Sequence, residues 1–237
     1  MQLLHGNCLE LMKDIPNQSI DMILCDLPYG STECKWDSVI PFESLWEHYS
    51  RIIKKNGAIV LFSIQPFTTK LITSNLKEFR YCWYWKKNNV TGGTFAKVQP
   101  MRCIEDICVF YKKKPVYNPQ GLIKLEKPIK SKVSKSEVYS FRSKNSIQKY
   151  TNYPNHLLEF NRENKRYHPT QKPVELLKYL IKTYTNDGET VLDNCMGSGS
   201  TGVAAVDTGR HFIGMEMDPE YYRIAKERIH GHLSKTA

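Results

Sequence analysis

An aspartate follows each of two short apolar runs in this sequence. Asp26 follows residues 20–25, and Asp193 follows Val191 and Leu192. Residues 20–25 have the length of a buried strand, and Val191 and Leu192 fit the end of a short one. Because ligands of open α/β sheets bind outside the carboxyl ends of the strands, both carboxylates are candidates for a ligand-binding site.

The segment after Asp193 contains three closely spaced glycines, Gly197, Gly199 and Gly202. Glycine permits a turn tight enough to bring backbone N–H groups against a ligand. A helical segment and a second strand follow, and that strand ends at Glu216. This βαβ pattern predicts a nucleoside site in which the Glu216 carboxylate accepts hydrogen bonds from both ribose hydroxyls.

The position of Asp193 bears on which nucleoside cofactor fits. The glycine spacing superficially matches the dinucleotide fingerprint, but an acid shortly before the first glycine is not part of that pattern. A carboxylate there repels a pyrophosphate and suits a cation. S-adenosylmethionine carries an ammonium and a sulfonium, so it fits better than NAD. The alternative is that the glycines serve only the close packing of a helix on a strand.

Asp26 begins a second cluster, in which Leu27, Pro28 and Tyr29 follow it. The amine of a nucleobase is a poor nucleophile because its lone pair is delocalised into the ring. The Asp26 carboxylate and the Leu27 carbonyl could hold both N–H bonds and favour a tetrahedral nitrogen. Pro28 would stiffen the turn, and Tyr29 would stack on a base that has left the duplex. A simple turn is the alternative.

The net charge of +10 is concentrated in residues 86–166, which hold 18 Lys and Arg against 6 Asp and Glu. A strongly basic segment is the electrostatic footprint of a polyanion partner. The alternative is a solvated lysine-rich loop, most plainly at residues 124–135. We expect this segment to bind nucleic acid, and the predicted contacts are Lys86, Lys87, Lys97, Arg102, Arg142 and Lys144.

Length and cysteine usage bound the class of protein. The 237 residues allow one domain with an inserted lobe. The sequence contains no run of eighteen apolar residues, so we expect no membrane span. Polar residues interrupt the N-terminal segment, where a signal peptide would be apolar. The seven cysteines are scattered without a C-x-x-C pair, which favours reduced thiols in the cytoplasm over a disulfide framework or a metal site.

These motifs and their order resemble those of the beta-class DNA amino-methyltransferases of bacterial and phage modification systems, over nearly the whole chain. Residues 26–29 match the catalytic Asp-Pro-Pro-Tyr motif of that family, and residues 191–202 match its cofactor loop. Residues 212–216 match its ribose-binding acid, 168–173 its methionine-side motif, and 6–8 the segment near the cofactor adenine. The catalytic motif comes first, which is a circular permutation of the usual methyltransferase order.

The resemblance implies an α/β fold, a three-layer sandwich of the Rossmann-like methyltransferase type. Its sheet would have seven mostly parallel strands with one antiparallel strand, and the strands ending at Cys25 and Leu192 would lie side by side at its centre. The chain would divide into a catalytic half at residues 1–85, a basic target-recognition region at 86–166 that includes strands of the core sheet near 105–111, and a cofactor-binding half at 167–237.

The implied activity is transfer of a methyl group from S-adenosylmethionine to the 6-amino group of adenine in a short duplex DNA sequence, by base flipping. The predicted catalytic residues are Asp26, Leu27, Pro28 and Tyr29. The predicted cofactor-binding residues are Asn7, Cys8, Asp26, Thr170, Lys172, Asp193, Cys195, Gly197, Gly199, Ser200, Thr201 and Glu216. The resemblance leaves open whether the chain forms a homodimer and whether a cognate restriction endonuclease accompanies it.

Two positions depart from the family pattern. Leu27 replaces the usual proline, which loosens the turn but keeps the accepting carbonyl, and Asn7 stands where the family often has Asp. Asp26 resembles the adenine-modifying members, whereas members that modify the cytosine 4-amino group usually carry Ser there. Cytosine therefore stays the nearest alternative, followed by RNA or a protein glutamine as substrate. A catalytically silent DNA-binding protein is a further alternative.

Overall fold

The computed structural model describes residues 1–30, 38–131, 146–163, 167–168 and 170–236. These residues fall into two compact units, a main unit of Met1–Asn118 with His156–Ala237 and a small unit of Pro119–Asn155. The strands, in chain order, are β1 (Gln2–His5), β2 (Ile20–Asp26), β3 (Ile53–Ser63), β4 (Phe79–Thr91), β5 (Arg102–Phe110), β6 (Ile123–Ser131), β7 (Ser146–Thr151), β8 (Leu157–Glu159), β9 (Thr190–Asp193) and β10 (His211–Glu216).

The main unit is built on one eight-stranded sheet with the order β1-β10-β9-β2-β3-β5-β4-β8. β5 runs antiparallel to both of its neighbours, and the other pairings are parallel. β2 and β9 are hydrogen-bonded neighbours, with Met22 opposite Val191 and Ile23 opposite Leu192. The predicted parallel α/β sheet with one antiparallel strand is therefore confirmed, and so is the central position of these two strands.

The sheet has one strand more than the seven predicted. The additional strand is β8, a three-residue edge strand that pairs with Tyr84, Trp85 and Lys86 of β4. Its sequence is short and ends in a glutamate, so it carries no strand signal of its own. The edge of β4 supplies the hydrogen-bonding partners that order it, including a 2.8 Å bond from the Tyr84 N–H to the His156 carbonyl.

Helices cover both faces of the sheet and give the predicted three layers. They are α1 (Cys8–Leu11), α2 (Phe42–Ile52), α3 (Phe67–Ser74), α4 (Val174–Tyr184), α5 (Ser200–Asp207) and α6 (Pro219–Thr236), with short 3-10 helices at Met12–Asp14 and Gly93–Phe95. α2 is amphipathic because Leu45, Trp46, Tyr49 and Ile52 recur at helical spacing, and all four side chains are buried.

Alternate residues of β2 divide the core into two clusters. Met22 and Leu24 pack with the apolar faces of α4, α5 and α6, whereas Ile23 and Cys25 pack with those of α1, α2 and α3. Side chains of a strand alternate between its two faces, so a strand buried on both sides reads as a continuous apolar run. Each large aliphatic side chain buried in this way stabilises the fold by about 1.5–3 kcal/mol.

The small unit is a two-stranded antiparallel sheet of β6 and β7. It is shorter than the region 86–166 predicted for target recognition, because residues 86–118 and 156–163 belong to the main unit, where they include the end of β4 and all of β5 and β8. The functional division of the chain into three parts stays a prediction. No helix in the described part of the chain is both long and apolar enough to cross a membrane.

Candidate active site

A cleft of about 320 Å³ opens at the carboxyl ends of β2, β9 and β10. Each of these three parallel strands ends in an acid: Asp26, Asp193 and Glu216. The cleft is large enough for a small ligand and lies where ligands of open α/β sheets bind. The predicted residues that line it are Asn7, Cys8, Asp26, Leu27, Pro28, Tyr29, Thr170, Lys172, Asp193, Cys195, Gly197, Ser200, Thr201 and Glu216.

The Asp193 carboxylate fixes the start of the glycine loop. It accepts hydrogen bonds from the Cys195 N–H at 3.1 Å and from the Thr201 hydroxyl at 2.6 Å. Burial raises the pKa of Asp193 to about 6, although these hydrogen bonds oppose the shift. A buried, partly compensated carboxylate of this kind favours a cation in the adjoining cleft.

Glu216 joins the end of β10 to the same loop. Its carboxylate accepts the Gly197 N–H at 2.8 Å and the Asp218 N–H at 2.9 Å. An ionised carboxylate has about four acceptor sites, so both oxygens keep the capacity to accept hydroxyl hydrogens from a ligand. Burial raises the pKa of Glu216 above its ordinary value.

The glycines of the loop differ in role. Gly197 has a φ of +51°, lines the cleft and has only the His168 ring within 4 Å of where a Cβ would stand. Gly199 also has a positive φ, but its N–H donates to the Met196 carbonyl, and a Cβ there would lie 3.0 Å from the Ala225 Cβ. The structure therefore explains Gly199 by packing against α6, which differs from the predicted cofactor contact.

The catalytic motif lies at the end of β2. Asp26 accepts a hydrogen bond from the Tyr29 hydroxyl at 2.5 Å and a second one from the Lys172 ammonium. Burial raises the pKa of Asp26, and the Lys172 charge opposes that shift. The Tyr29 ring contacts Phe67 with 5.0 Å between ring centroids, and this contact fixes the ring at the wall of the cleft.

A charged cluster beside this motif was not predicted as such, because Lys87 was predicted to bind DNA and Glu105 was given no role. The Lys87 ammonium lies 3.0 Å from Glu105 Oε1, and the Lys172 ammonium lies 3.4 Å from Glu105 Oε2. The Lys87 side chain is only 6% exposed. This burial in an ion pair differs from the DNA contact predicted for Lys87. The available signal was Glu105 itself, since an acid within a mostly apolar strand needs a buried partner.

Other lining residues were not named individually: His168, Gln171, Asn194, Met196 and Ser198 lie within the matched motifs, whereas Met217 and Tyr221 lie outside them. Asn194 is held by the Tyr49 hydroxyl at 2.5 Å, and its amide nitrogen lies 3.7 Å from Cys8 Sγ and 3.5 Å from Cys195 Sγ. Its position directly after Asp193, where the strand ends, could have indicated that Asn194 lines the cleft.

Those of the predicted DNA contacts that the structure describes lie outside the cleft lining. Lys86, Lys97 and Arg102 are exposed on or between β4 and β5, and Lys86 pairs with Glu159 at 3.0 Å. Arg142 and Lys144 lie outside the described residues. The exposed three have the accessibility that a phosphate contact requires, and their binding of DNA stays a prediction.

Comparison with known proteins agrees with this geometry. A family model described as DNA methylase (N6_N4_Mtase) matches residues 20–227. The DNA adenine methyltransferase YhdJ of Escherichia coli (strain K12) is 30% identical over 251 residues, covering 96% of this chain and 82% of that protein. The type II methyltransferase M.HpaI of Haemophilus parainfluenzae is 28% identical over 248 residues, covering 96% of this chain and 74% of its own length.

A structural comparison agrees as well. The solved structure of PvuII DNA methyltransferase (cytosine-N4-specific) matches with a TM-score of 0.70 at 16% identity, covering 98% of this chain and 91% of that one. At this identity the likeness shows a shared fold. The family match shows more than the fold, because it includes both the strand that ends at Asp26 and the loop after Asp193. The chain therefore belongs to the DNA methylase family and is an S-adenosylmethionine-dependent DNA methyltransferase.

Proposed function

We propose that this protein transfers a methyl group from S-adenosylmethionine to the 6-amino group of adenine in duplex DNA, after the base has left the helix. The observation that carries the proposal is that Asp26, Asp193 and Glu216 end three parallel strands and line one cleft. A methyl donor and an extrahelical base can therefore meet at one edge of the sheet.

The residues of this chain fit the cofactor in two respects. Asp193 and Glu216 provide two carboxylates in a cleft that suits a ligand bearing a positive charge and ribose hydroxyls. Gly197, with its positive φ and open Cβ position, leaves room for close approach to the backbone. Bound there, S-adenosylmethionine supplies an electrophilic methyl group.

The catalytic motif positions the nucleophile. One N–H of the target amine donates to the Asp26 carboxylate and the other to the Leu27 carbonyl, so the nitrogen lone pair points away from both acceptors. Tyr29 presents its ring to the base at the cleft wall. Leu27 is 3% exposed, and this burial keeps water from competing for the same hydrogen bonds.

Adenine is the preferred base for two reasons. Asp26 stands where the adenine-modifying members of the resembled family carry the same residue. YhdJ, the relative at 30% identity, is named as a DNA adenine methyltransferase. The alternative is the 4-amino group of cytosine, because the PvuII enzyme named as cytosine-N4-specific has the same fold.

We infer the remaining partners from the same relatives. M.HpaI is named as a type II methyltransferase, which favours a cognate restriction endonuclease as a companion of this chain. The described cysteines are all free, in keeping with a reducing cytoplasm, where DNA is also found. A homodimer stays a prediction that gel filtration with light scattering would test.

The base is identified by incubating the protein with unmethylated plasmid DNA and S-adenosylmethionine, then digesting the DNA to nucleosides for mass spectrometry. We expect N6-methyldeoxyadenosine. N4-methyldeoxycytidine would support the alternative instead. A parallel competition between duplex DNA and RNA for labelled methyl groups tests the nucleic acid, and preferential labelling of RNA would contradict the proposal.

A further inference from the structure

Lys172 lies between two carboxylates beside the catalytic motif. Its ammonium donates to Asp26 Oδ2 and lies 3.4 Å from Glu105 Oε2, and its side chain is 8% exposed. The carboxylates raise the pKa of Lys172 although burial alone would lower it, so the side chain stays charged. Lys172 is therefore a buried cation with two anionic partners within a short distance.

The resting arrangement weakens Asp26 as the acceptor that the proposed chemistry needs. Both oxygens of Asp26 already accept hydrogen bonds, one from the Tyr29 hydroxyl and the other from Lys172. The target amine needs one of these oxygens as its acceptor. Each oxygen can accept a second hydrogen bond, but an oxygen already bound to an ammonium is a weaker acceptor, so Asp26 holds the amine better once Lys172 leaves it.

Glu105 provides an alternative acceptor for that donor. Its Oε1 is held by Lys87 at 3.0 Å, whereas Oε2 is buried without a hydrogen-bond partner among the described residues. The Lys172 ammonium pairs with this oxygen electrostatically at 3.4 Å but forms no hydrogen bond to it, and a charged hydrogen bond would relieve the cost of the unmade one. A displacement of about 0.6 Å would bring the Lys172 ammonium from 3.4 Å to the usual length of such a bond.

We propose that Lys172 transfers its hydrogen bond from Asp26 to Glu105 when the target base enters, and that Glu105 is the positioning residue that receives it. This inference rests on the proposed function, since the entering group is the amine that is to be methylated. It assigns a role in the reaction to Glu105 and Lys87, two residues outside the matched motifs.

The charges of the cluster allow this exchange at constant net charge. Lys87 and Lys172 carry two positive charges, and Asp26 and Glu105 carry two negative charges, before and after the move. Burial would raise the pKa of Glu105, but the two ammonium groups lower it, so Glu105 is ionised and ready to accept. Asp26, released by Lys172, faces the amine as a carboxylate with one oxygen free.

The kinetic test compares Glu105→Gln with wild type on saturating plasmid DNA. We expect kcat to fall about ten-fold or more, because the neutral amide holds Lys172 less well and Lys172 therefore stays on Asp26. The KM for DNA and the Kd for S-adenosylmethionine should change little. Glu47→Gln, an exposed change on α2, is the control. An unchanged kcat in Glu105→Gln would overturn the inference.

A double-mutant cycle separates this role from a structural one. In a Lys172→Met background there is no ammonium to relocate, so Glu105→Gln should cause little further loss of kcat. Equal losses in both backgrounds would contradict the exchange. Glu105→Asp, which keeps the charge, should retain more of the wild-type kcat than Glu105→Gln does.

If wild type methylates no DNA, the proposed function and this inference both fail. If wild type is active and Glu105→Gln equally so, only the inference fails.

A structural readout does not depend on activity. In a crystal structure of Asp26→Asn, the neutral amide competes poorly for Lys172, and we expect the ammonium within hydrogen-bonding distance of Glu105 Oε2. An ammonium that remains on residue 26 would contradict the proposed second position.

Discussion

Asp26 and Asp193 end two hydrogen-bonded parallel strands, β2 and β9, and their side chains line the same cleft. Burial raises the pKa of both carboxyl groups, and their mutual repulsion adds to the rise at Asp193. Two buried carboxylates at neighbouring strand ends favour ligands that bring positive charge or N–H donors. The methyl donor brings the positive charge, and the exocyclic amine that receives the methyl group brings the N–H donors.

Replacement of Asp26 tests the acceptor of the target amine. Asp26→Ala should lower the rate of methyl transfer by roughly 10²–10³-fold, because the amine loses its preorganised acceptor. The fold should persist, since Glu105 remains to pair with Lys172. Transfer of labelled methyl to DNA measures the rate, with exposed Asp14→Ala as the control. Wild-type turnover in Asp26→Ala would refute the assigned role.

The raised pKa of Asp193 predicts that cofactor affinity depends on pH. The ionised carboxylate is the form that attracts the cationic cofactor, and below about pH 6 it becomes protonated. The affinity for S-adenosylmethionine should therefore weaken as the pH falls through 6, by up to about ten-fold per pH unit. Calorimetric titrations between pH 5 and pH 8 measure this slope.

Asp193→Asn is the control for that pH dependence. The variant should bind more weakly near neutral pH and lose most of the slope, and any residual slope would belong to Glu216 and Asp26, whose pKa values burial also raises. An equally steep slope in Asp193→Asn would show that another group controls the binding.

Glu216 is predicted to hold the cofactor ribose. Glu216→Gln should weaken S-adenosylmethionine binding by about 10–100-fold, because hydrogen bonds to a charged group are replaced by weaker ones. Glu220→Gln, an exposed change in the first turn of α6, should leave the Kd unaltered. Equal Kd values for wild type and Glu216→Gln would place the ribose elsewhere.

Gly199 and Gly209 form a matched pair for backbone and packing effects. Both have a positive φ, but a Cβ at Gly199 would meet Ile229 and Ala225 at 2.9–3.0 Å, whereas nothing lies within 4 Å of one at Gly209. Gly209→Ala should cost about 1–2 kcal/mol of stability, and Gly199→Ala about 1–3 kcal/mol more. Urea denaturation measures both. Equal losses would contradict the packing role of Gly199.

The sequence was most informative about strands that are buried on both faces. Apart from Asp21, residues 20–25 and the run before Asp193 are apolar, because helices cover both sides of the sheet at these strands. Their adjacency followed from the resemblance and is confirmed by the pairing of Met22 with Val191. β8 could not be predicted in this way, since its order comes from the edge of β4 and not from its own residues.

The charged cluster beside Asp26 was beyond the reach of sequence spacing. Trp85 lies opposite Glu105 across β4 and β5, and this register brings the next lysine on that face, Lys87, against the Glu105 carboxylate. That register depends on how β4 and β5 pair and cannot be read from the spacing of charged residues in the sequence. Without it, Lys87 reads as one more basic residue in a basic segment, which is how it was predicted to bind DNA.

Sequencing of single DNA molecules from cells that express this chain tests the central claim most directly. With the wild-type protein we expect methylated adenine in one recurring short sequence, and with Asp26→Ala we expect the same sequence unmodified. Unmodified DNA in cells that contain folded wild-type protein, or the same adenine mark with Asp26→Ala, would contradict the account.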